Sequence, residues 1–242
     1  MSNKYSFYSS DYLNISGIPF AYWISKNEVN AFKNPVVSDF FNPKKGVDTG
    51  ENDKYLRMWY EVNNDDIGFN MDSLLSFIDS KKKYAPLNKG GDYRKWYGNN
   101  EYVINWENNG KALRSNGKAN IRNEQFYFHE SLTWTDLTSY KPSFRYNKSG
   151  FIHDVAGPCL FDGNEYVYYL NALLNSKVSE CIFKIIAPTI HFNVGNIANV
   201  PFALCEGKRE EIDYIVKDNI KQSMDDWNCF ENSWDFKKHP LI

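Results

Sequence analysis

Between residues 125 and 155 the chain runs as short β-rich segments, at 125–128, 132–134, 143–146 and 151–155, each closed by turn residues. Segments this brief, with so little chain between them, favour antiparallel neighbours. A parallel pairing needs a crossover of a dozen or more residues. A meander-like antiparallel sheet is therefore expected. The aromatic run at 55–62 reads as a further strand. Helical spacing surrounds these runs. Ser25 is placed to cap a helix over 25–32, with Val29 and Phe32 on one face. Leu74, Leu75 and Ile78 form a stripe within 71–78, and Val167, Leu170, Leu173 and Leu174 form another within 164–178. An apolar segment at 181–187 is broken by Pro188. The expected fold is α/β or α+β: a twisted, mainly antiparallel sheet flanked by helices.

The character of the chain changes near residue 205. Residues 208–224 fit an amphipathic helix with Ile212, Ile215, Val216 and Ile220, followed by a Trp/Phe-rich tail. Residues 1–204 are thus expected to form the main domain, and 205–242 a small, acidic, helical appendage. With 42% hydrophobic and 17% aromatic residues, a packed core is within reach and disorder of the whole chain is excluded. No apolar run approaches the ~18 residues of a membrane span. Residues 1–10 lack the apolar core of a signal peptide. Cys159, Cys181, Cys205 and Cys229 are far apart, which argues against a zinc site and a disulfide framework. A reducing cytoplasm is the expected setting.

The formal charge is −2, yet its distribution is uneven. Residues 81–122 hold ten Lys/Arg and three acids, a balance of +7, whereas 205–242 hold nine acids and six Lys/Arg, a balance of −3. A polyanion binder with an acidic appendage shows such segregation, and so do solvated faces that differ by chance.

Catalytic motifs are missing. Amino-methyltransferases need a glycine-rich cofactor turn and an Asn/Asp-Pro-Pro-Tyr/Phe loop for the flipped base. Here Asn34-Pro35 and Asn42-Pro43 are followed by Val36 and Lys44, and there is neither a G-x-G-x-x-G nor a P-loop. The acid-x-Lys tripeptides at Glu206-Gly207-Lys208 and Asp235-Phe236-Lys237 lack an upstream Pro-Asp, so a metal-dependent nuclease is a weak reading. His129, His153, His191 and His239 lack metal-ligand spacing. His129-Glu130 and His153-Asp154 would point to opposite faces of a strand. No catalytic residue, cofactor site or metal site is expected in this chain.

Three stretches carry binding chemistry. The loop at 42–52 is dense in turn residues and includes Lys44, Lys45, Thr49 and Asn52. Residues 88–99, Asn-Lys-Gly-Gly-Asp-Tyr-Arg-Lys-Trp-Tyr-Gly-Asn, join cations to planar side chains. Lys89, Arg94 and Lys95 suit phosphates, and Trp96 suits stacking. An aromatic-rich hairpin with solvated cations fits the same residues. Between 108 and 123, Lys111, Arg114, Lys118 and Arg122 occur without an acid among glycine, asparagine and serine, as in a flexible basic loop.

The stretch at 88–99, followed by Tyr102-Val103-Ile104-Asn105-Trp106-Glu107-Asn108-Asn109-Gly110, resembles the K-G-G-x-x-R-K-W-Y-G-N…V-x-N-W-E-N-x-G block of PglX-type methyltransferases. These are adenine-specific enzymes of BREX phage-defence systems, similar to type IIG restriction–modification enzymes. The resemblance continues in order at 17–25, 46–52, 57–62, 131–134, 151–157, 173–177, 193–201 and 233–241. It covers the region after the family's catalytic half and implies a target-recognition fold that binds double-stranded DNA. S-adenosylmethionine would bind the catalytic domain, which has no counterpart here. The chain is then a separate recognition polypeptide or a piece of a longer enzyme. The implied DNA-binding candidates are Lys44, Lys45, Thr49, Asn52, Lys89, Arg94, Lys95, Trp96, Lys111, Arg114, Lys118 and Arg122. The implied partners are DNA, the methyltransferase catalytic domain and other defence subunits, with no membrane. A protein–protein scaffold of the defence complex is the main rival, and a stand-alone nuclease the lesser one.

Overall fold

The computed structural model describes residues 23–239 together with Leu13, Ile15, Gly17 and Leu241. Residues 1–10, and 18–22 within the block at 17–25, lie outside the described residues. The fold is α+β, with two mostly antiparallel four-stranded sheets flanked by helices.

The first sheet has the order β1 (Asn42–Lys44), β8 (Cys159–Phe161), β5 (Ser131–Thr133), β6 (Arg145–Asn147), antiparallel throughout. The second has the order β2 (Leu56–Met58), β4 (Tyr102–Asn105), β3 (Tyr84–Asn88), β7 (Ile152–His153), with β7 parallel to β3. Each sheet supports its own apolar core. In the first, Leu132, Trp134, Phe144 and Leu160 pack against α5 (Val167–Leu174), α6 (Lys177–Ile186) and α7 (Val194–Ala198). In the second, Leu87, Ile104 and Ile152 pack with Phe77 of α3 (Leu74–Ser80) and Leu113 of α4 (Glu107–Arg114).

Several helix starts follow from local chemistry. Ser25 caps α1 (Lys26–Ala31) and Glu28 returns a bond to the Ser25 N–H, satisfying two otherwise orphan donors. Asn193 and Asn196 close the same reciprocal box on α7, and the Ser176 hydroxyl caps α6 by accepting the Ser179 N–H. The long C-terminal helix α8 (Arg209–Trp227) buries Val216, Ile220 and Trp227 and packs along α5, while Ile215 faces solvent. The tail then crosses the second sheet's side of the molecule. The Trp59 indole donates to the Asn232 carbonyl (3.0 Å), and the Trp234 ring lies against Phe69 and Phe151.

Three local expectations are corrected. The run at 55–62 is a strand only over Leu56–Met58. A 3₁₀ turn follows at Trp59–Glu61, where the Glu61 carboxylate accepts the Met58 N–H (2.8 Å). Residues 125–128 are not a strand, because Asn123 and Phe128 adopt left-handed φ around the 3₁₀ turn Glu124–Phe126. The basic stretch at 108–123 is not a free loop. It contains α4, whose Leu113 is fully buried in the second core. Asn108, Asn109 and Gly110 take left-handed φ of 51°, 58° and 68°, values open to asparagine and glycine. This turn sets Gly110 against the Trp106 ring, where a Cβ would come within 3.2 Å.

Candidate nucleic-acid interface

The loop at 42–52 and the basic stretch at 111–122 meet as one surface. Asp48 and Asn120 exchange backbone bonds in both directions (2.8 and 2.7 Å). The Asn116 amide donates to the Thr49 carbonyl (3.2 Å), and the Asn123 amide to the Lys45 carbonyl (2.8 Å). Gly50 holds the closest approach. Its φ is +65°, and a Cβ there would lie 2.6 Å from the Lys118 carbonyl oxygen. Asn116, Asn120 and Asn123 were not singled out from sequence. Their signal was the asparagine density between 99 and 123, since asparagine amides bridge loop backbones well.

The twelve sequence candidates fall into groups. Lys44 lies over the Phe126 ring (5.7 Å), and Lys111 and Arg122 are exposed. Among the described residues these three form no ion pair. Lys118 reaches Glu51 (3.1 Å), and Lys45 reaches Asp136 (3.2 Å). Arg114 stacks over Trp106 (5.6 Å) and pairs with Glu124. Thr49 is buried. Its hydroxyl donates to Asn52 Oδ1 (2.6 Å) and accepts the Glu51 N–H (3.3 Å), so it shapes the loop while Asn52 stays exposed.

The central block divides. Lys89 turns toward the first loop and pairs with Asp154 (3.2 Å). Burial raises the Asp154 carboxyl above its ordinary range, and the Lys89 charge works against that rise. Lys89 also lines a cavity of about 440 Å³ with Asn52, Asp53, Arg57, Glu61 and Tyr102. Arg94 and Lys95 point the other way. The Arg94 guanidinium sits on the Trp227 ring (4.9 Å) and pairs with Asp226 (3.0 Å), while the Lys95 ammonium donates to the Asn175 carbonyl (2.6 Å). Trp96, half-buried at φ 73°, joins β6 through its backbone: its N–H donates to the Phe144 carbonyl, and its carbonyl accepts from Tyr146. The Ser223 hydroxyl of α8 lies within hydrogen-bond reach of the Lys95 and Tyr97 carbonyls. The structure thus brings Lys44, Lys45, Thr49, Asn52, Lys111, Arg114, Lys118 and Arg122 to the joined loops. It sends Arg94 and Lys95 to the C-terminal helices.

Among the described residues, no group of three or more His, Cys, Asp or Glu side chains is placed to hold a metal ion. None of their helices is long and apolar enough to cross a membrane.

No family model matches the chain. Individual proteins do. The chain is 37% identical over 238 residues to the adenine-specific methyltransferase BrxX of Escherichia coli O9:H4 (strain HS), a match covering 96% of this chain and 19% of that protein. It is 35% identical over 238 residues to the adenine-specific methyltransferase PglX of Lacticaseibacillus casei (strain Zhang), covering 94% of this chain and 20% of that protein. The chain is homologous to a segment of these methyltransferases. It spans about one fifth of their length.

Proposed function

We propose that this segment is the DNA target-recognition part of an adenine-specific DNA methyltransferase of a BREX-type defence system. The observation that carries the reading is the joining of the lysine-bearing loop at 42–52 to the basic stretch at 111–122, far apart in sequence, into one surface by the Asp48–Asn120 backbone pair and the Asn116 and Asn123 amides. The homology to adenine-specific methyltransferases supplies the context. In this reading Lys44, Lys111, Lys118 and Arg122 neutralise phosphates, and Asn52, with Lys89 beside it, faces base edges. Arg94 and Lys95 hold the recognition surface on the helices, and Trp96 ties it to β6 through its backbone. Methyl transfer, S-adenosylmethionine binding and base flipping belong to another part of the enzyme, which is the expected protein partner.

Four phosphate contacts imply that log K falls with log salt at a slope of about −3 to −4, a loss of roughly 100-fold between 50 and 200 mM salt. Fluorescence anisotropy with a labelled duplex measures this directly. Charge reversal of Lys111 and Arg122 together should weaken binding on every duplex and flatten the slope by about two. Absence of binding at low salt, or binding indifferent to salt, refutes DNA recognition and leaves the scaffold reading. Metal-dependent cleavage of the duplex would replace it with a nuclease.

A further inference from the structure

The first sheet has a polar face that is buried. Along β5, β6 and β8 the side chains alternate as the pleat requires. Leu132, Phe144 and Leu160 enter the first core, and Ser131, Thr133, Arg145, Asn147 and Cys159 take the opposite face. Such alternation ordinarily marks a face open to water. Here all five of the latter residues are at most 4% exposed. Asn88 of the second sheet covers part of the layer, its amide donating to the Thr133 hydroxyl, the Gly157 carbonyl (3.0 Å) and the Cys159 sulfur (3.1 Å).

Arg145 is the unbalanced member. It is fully buried, and its Nη1 has only the Arg94 carbonyl (3.4 Å) and the Ser143 hydroxyl (3.5 Å), both at the limit of a hydrogen bond. Its Nε and Nη2 have no partner, and neither polar atom of the Asn147 side chain, two residues along the same strand face, has one. Among the described residues no carboxylate pairs with this guanidinium. Burial pulls it down only to about 10, so it stays charged at neutral pH. Burial also pushes the nearby Cys159 thiol up to about 11, which keeps that sulfur neutral. Native structures rarely leave buried polar atoms unsatisfied, and an isolated buried ion is among the most costly features a fold can hold. Water would satisfy the N–H groups but leave the charge.

We infer that the buried polar layer of the first sheet is an internal site for a small monovalent anion, of chloride size, held by Nε and Nη2 of Arg145 and the amide of Asn147. The unpartnered nitrogens of Arg145 and Asn147 are donors, as an anion requires. Because Arg145, Thr133 and Asn147 are at most 1% exposed, the occupant is compact and enters with folding or with local opening. The inference is independent of the DNA-binding reading.

The test is thermal unfolding of the full chain in sodium gluconate, chloride and bromide at equal ionic strength. Chloride and bromide should raise Tm saturably, by about 5–10 °C at a hundredfold excess over the dissociation constant. Crystals grown in bromide should show an anomalous peak within hydrogen-bond reach of Arg145. Arg145→Met should melt at one temperature in all three salts. If that variant does not fold, Asn147→Ala, which keeps the cation, should need about tenfold more chloride for the same rise. Equal Tm in gluconate and chloride, a water in place of bromide, or a Raman spectrum showing Cys159 as thiolate overturns the inference.

Discussion

Gly50 is the position where a single methyl group separates the joined surface from its charges. Its φ of +65° costs an alanine about 1–2 kcal/mol. The added Cβ would also meet the Lys118 carbonyl oxygen at 2.6 Å, the Lys118 Cβ at 2.7 Å and the Lys118 carbonyl carbon at 2.8 Å. Two of those atoms are backbone, so no rotamer relieves the contact. Overpacking of this kind costs about 1–3 kcal/mol, or the loops part and lose the Asp48–Asn120 bonds at about 0.5–1.5 kcal/mol each. Gly50→Ala should therefore destabilise by about 2–5 kcal/mol in urea unfolding. Gly117 supplies the control: it lies in the same basic stretch with nothing within 4 Å of a Cβ, so Gly117→Ala should leave stability within about 0.5 kcal/mol. Neither change alters a charge. If the joined loops are the DNA surface, folded Gly50→Ala should bind duplex more weakly, with a salt slope reduced by about one as Lys118 leaves register. A Gly50→Ala protein as stable as Gly117→Ala would refute the steric account. A destabilised variant that keeps full affinity and slope would refute the placement of the DNA surface.

Three other perturbations test separate links. The buried His153 imidazole, flanked by the Tyr127 and Phe161 rings with both nitrogens unpartnered, is pushed by burial from 6.5 down to about 3. A depressed histidine contributes stability that is full above pH 6.5 and lost as pH falls toward 3, roughly 4–5 kcal/mol across that window. His153→Phe should flatten this acid limb in urea titrations run at several pH values; an unchanged limb assigns it elsewhere. Asp154, raised by burial, works with the opposite sign, its contribution present below 3.8 and lost as pH rises through the folded value. Leu113→Ala should cost about 2–5 kcal/mol in urea unfolding, because the residue is fully buried in the second core; a cost near zero would restore the free-loop picture of 108–123. Arg94→Ala should lower stability by about 1–2 kcal/mol through its partly exposed pair with Asp226 and its seat on Trp227, yet leave the salt slope of DNA binding unchanged. A flattened slope would return Arg94 to the DNA surface.

Local chemistry in the sequence determined much of the framework. Ser25 with Glu28 was enough to start α1, the stripe of Val167, Leu170 and Leu174 was enough for α5, and Ile212, Val216 and Ile220 were enough for α8. These signals act within a few residues, through caps and 3.6-residue periodicity. Short runs between turns likewise determined that pairing is mainly antiparallel. The ordered blocks between 88 and 110 pointed to the methyltransferase segment that the relatives bear out. The destinations of the charged side chains that pair across the chain were decided only by tertiary structure. Arg94 and Lys89 look equivalent in sequence, five residues apart in one basic block. Topology delivers one to Asp226, 132 residues along the chain, and the other to Asp154, 65 residues along. Likewise the polar alternation of β5 and β6 reads as a solvated face, yet it is buried, with Asn88 of the second sheet covering part of it. An ion pair or a buried guanidinium depends on which distant segments arrive beside it. Periodicity, which acts along one segment at a time, carries no record of that arrival.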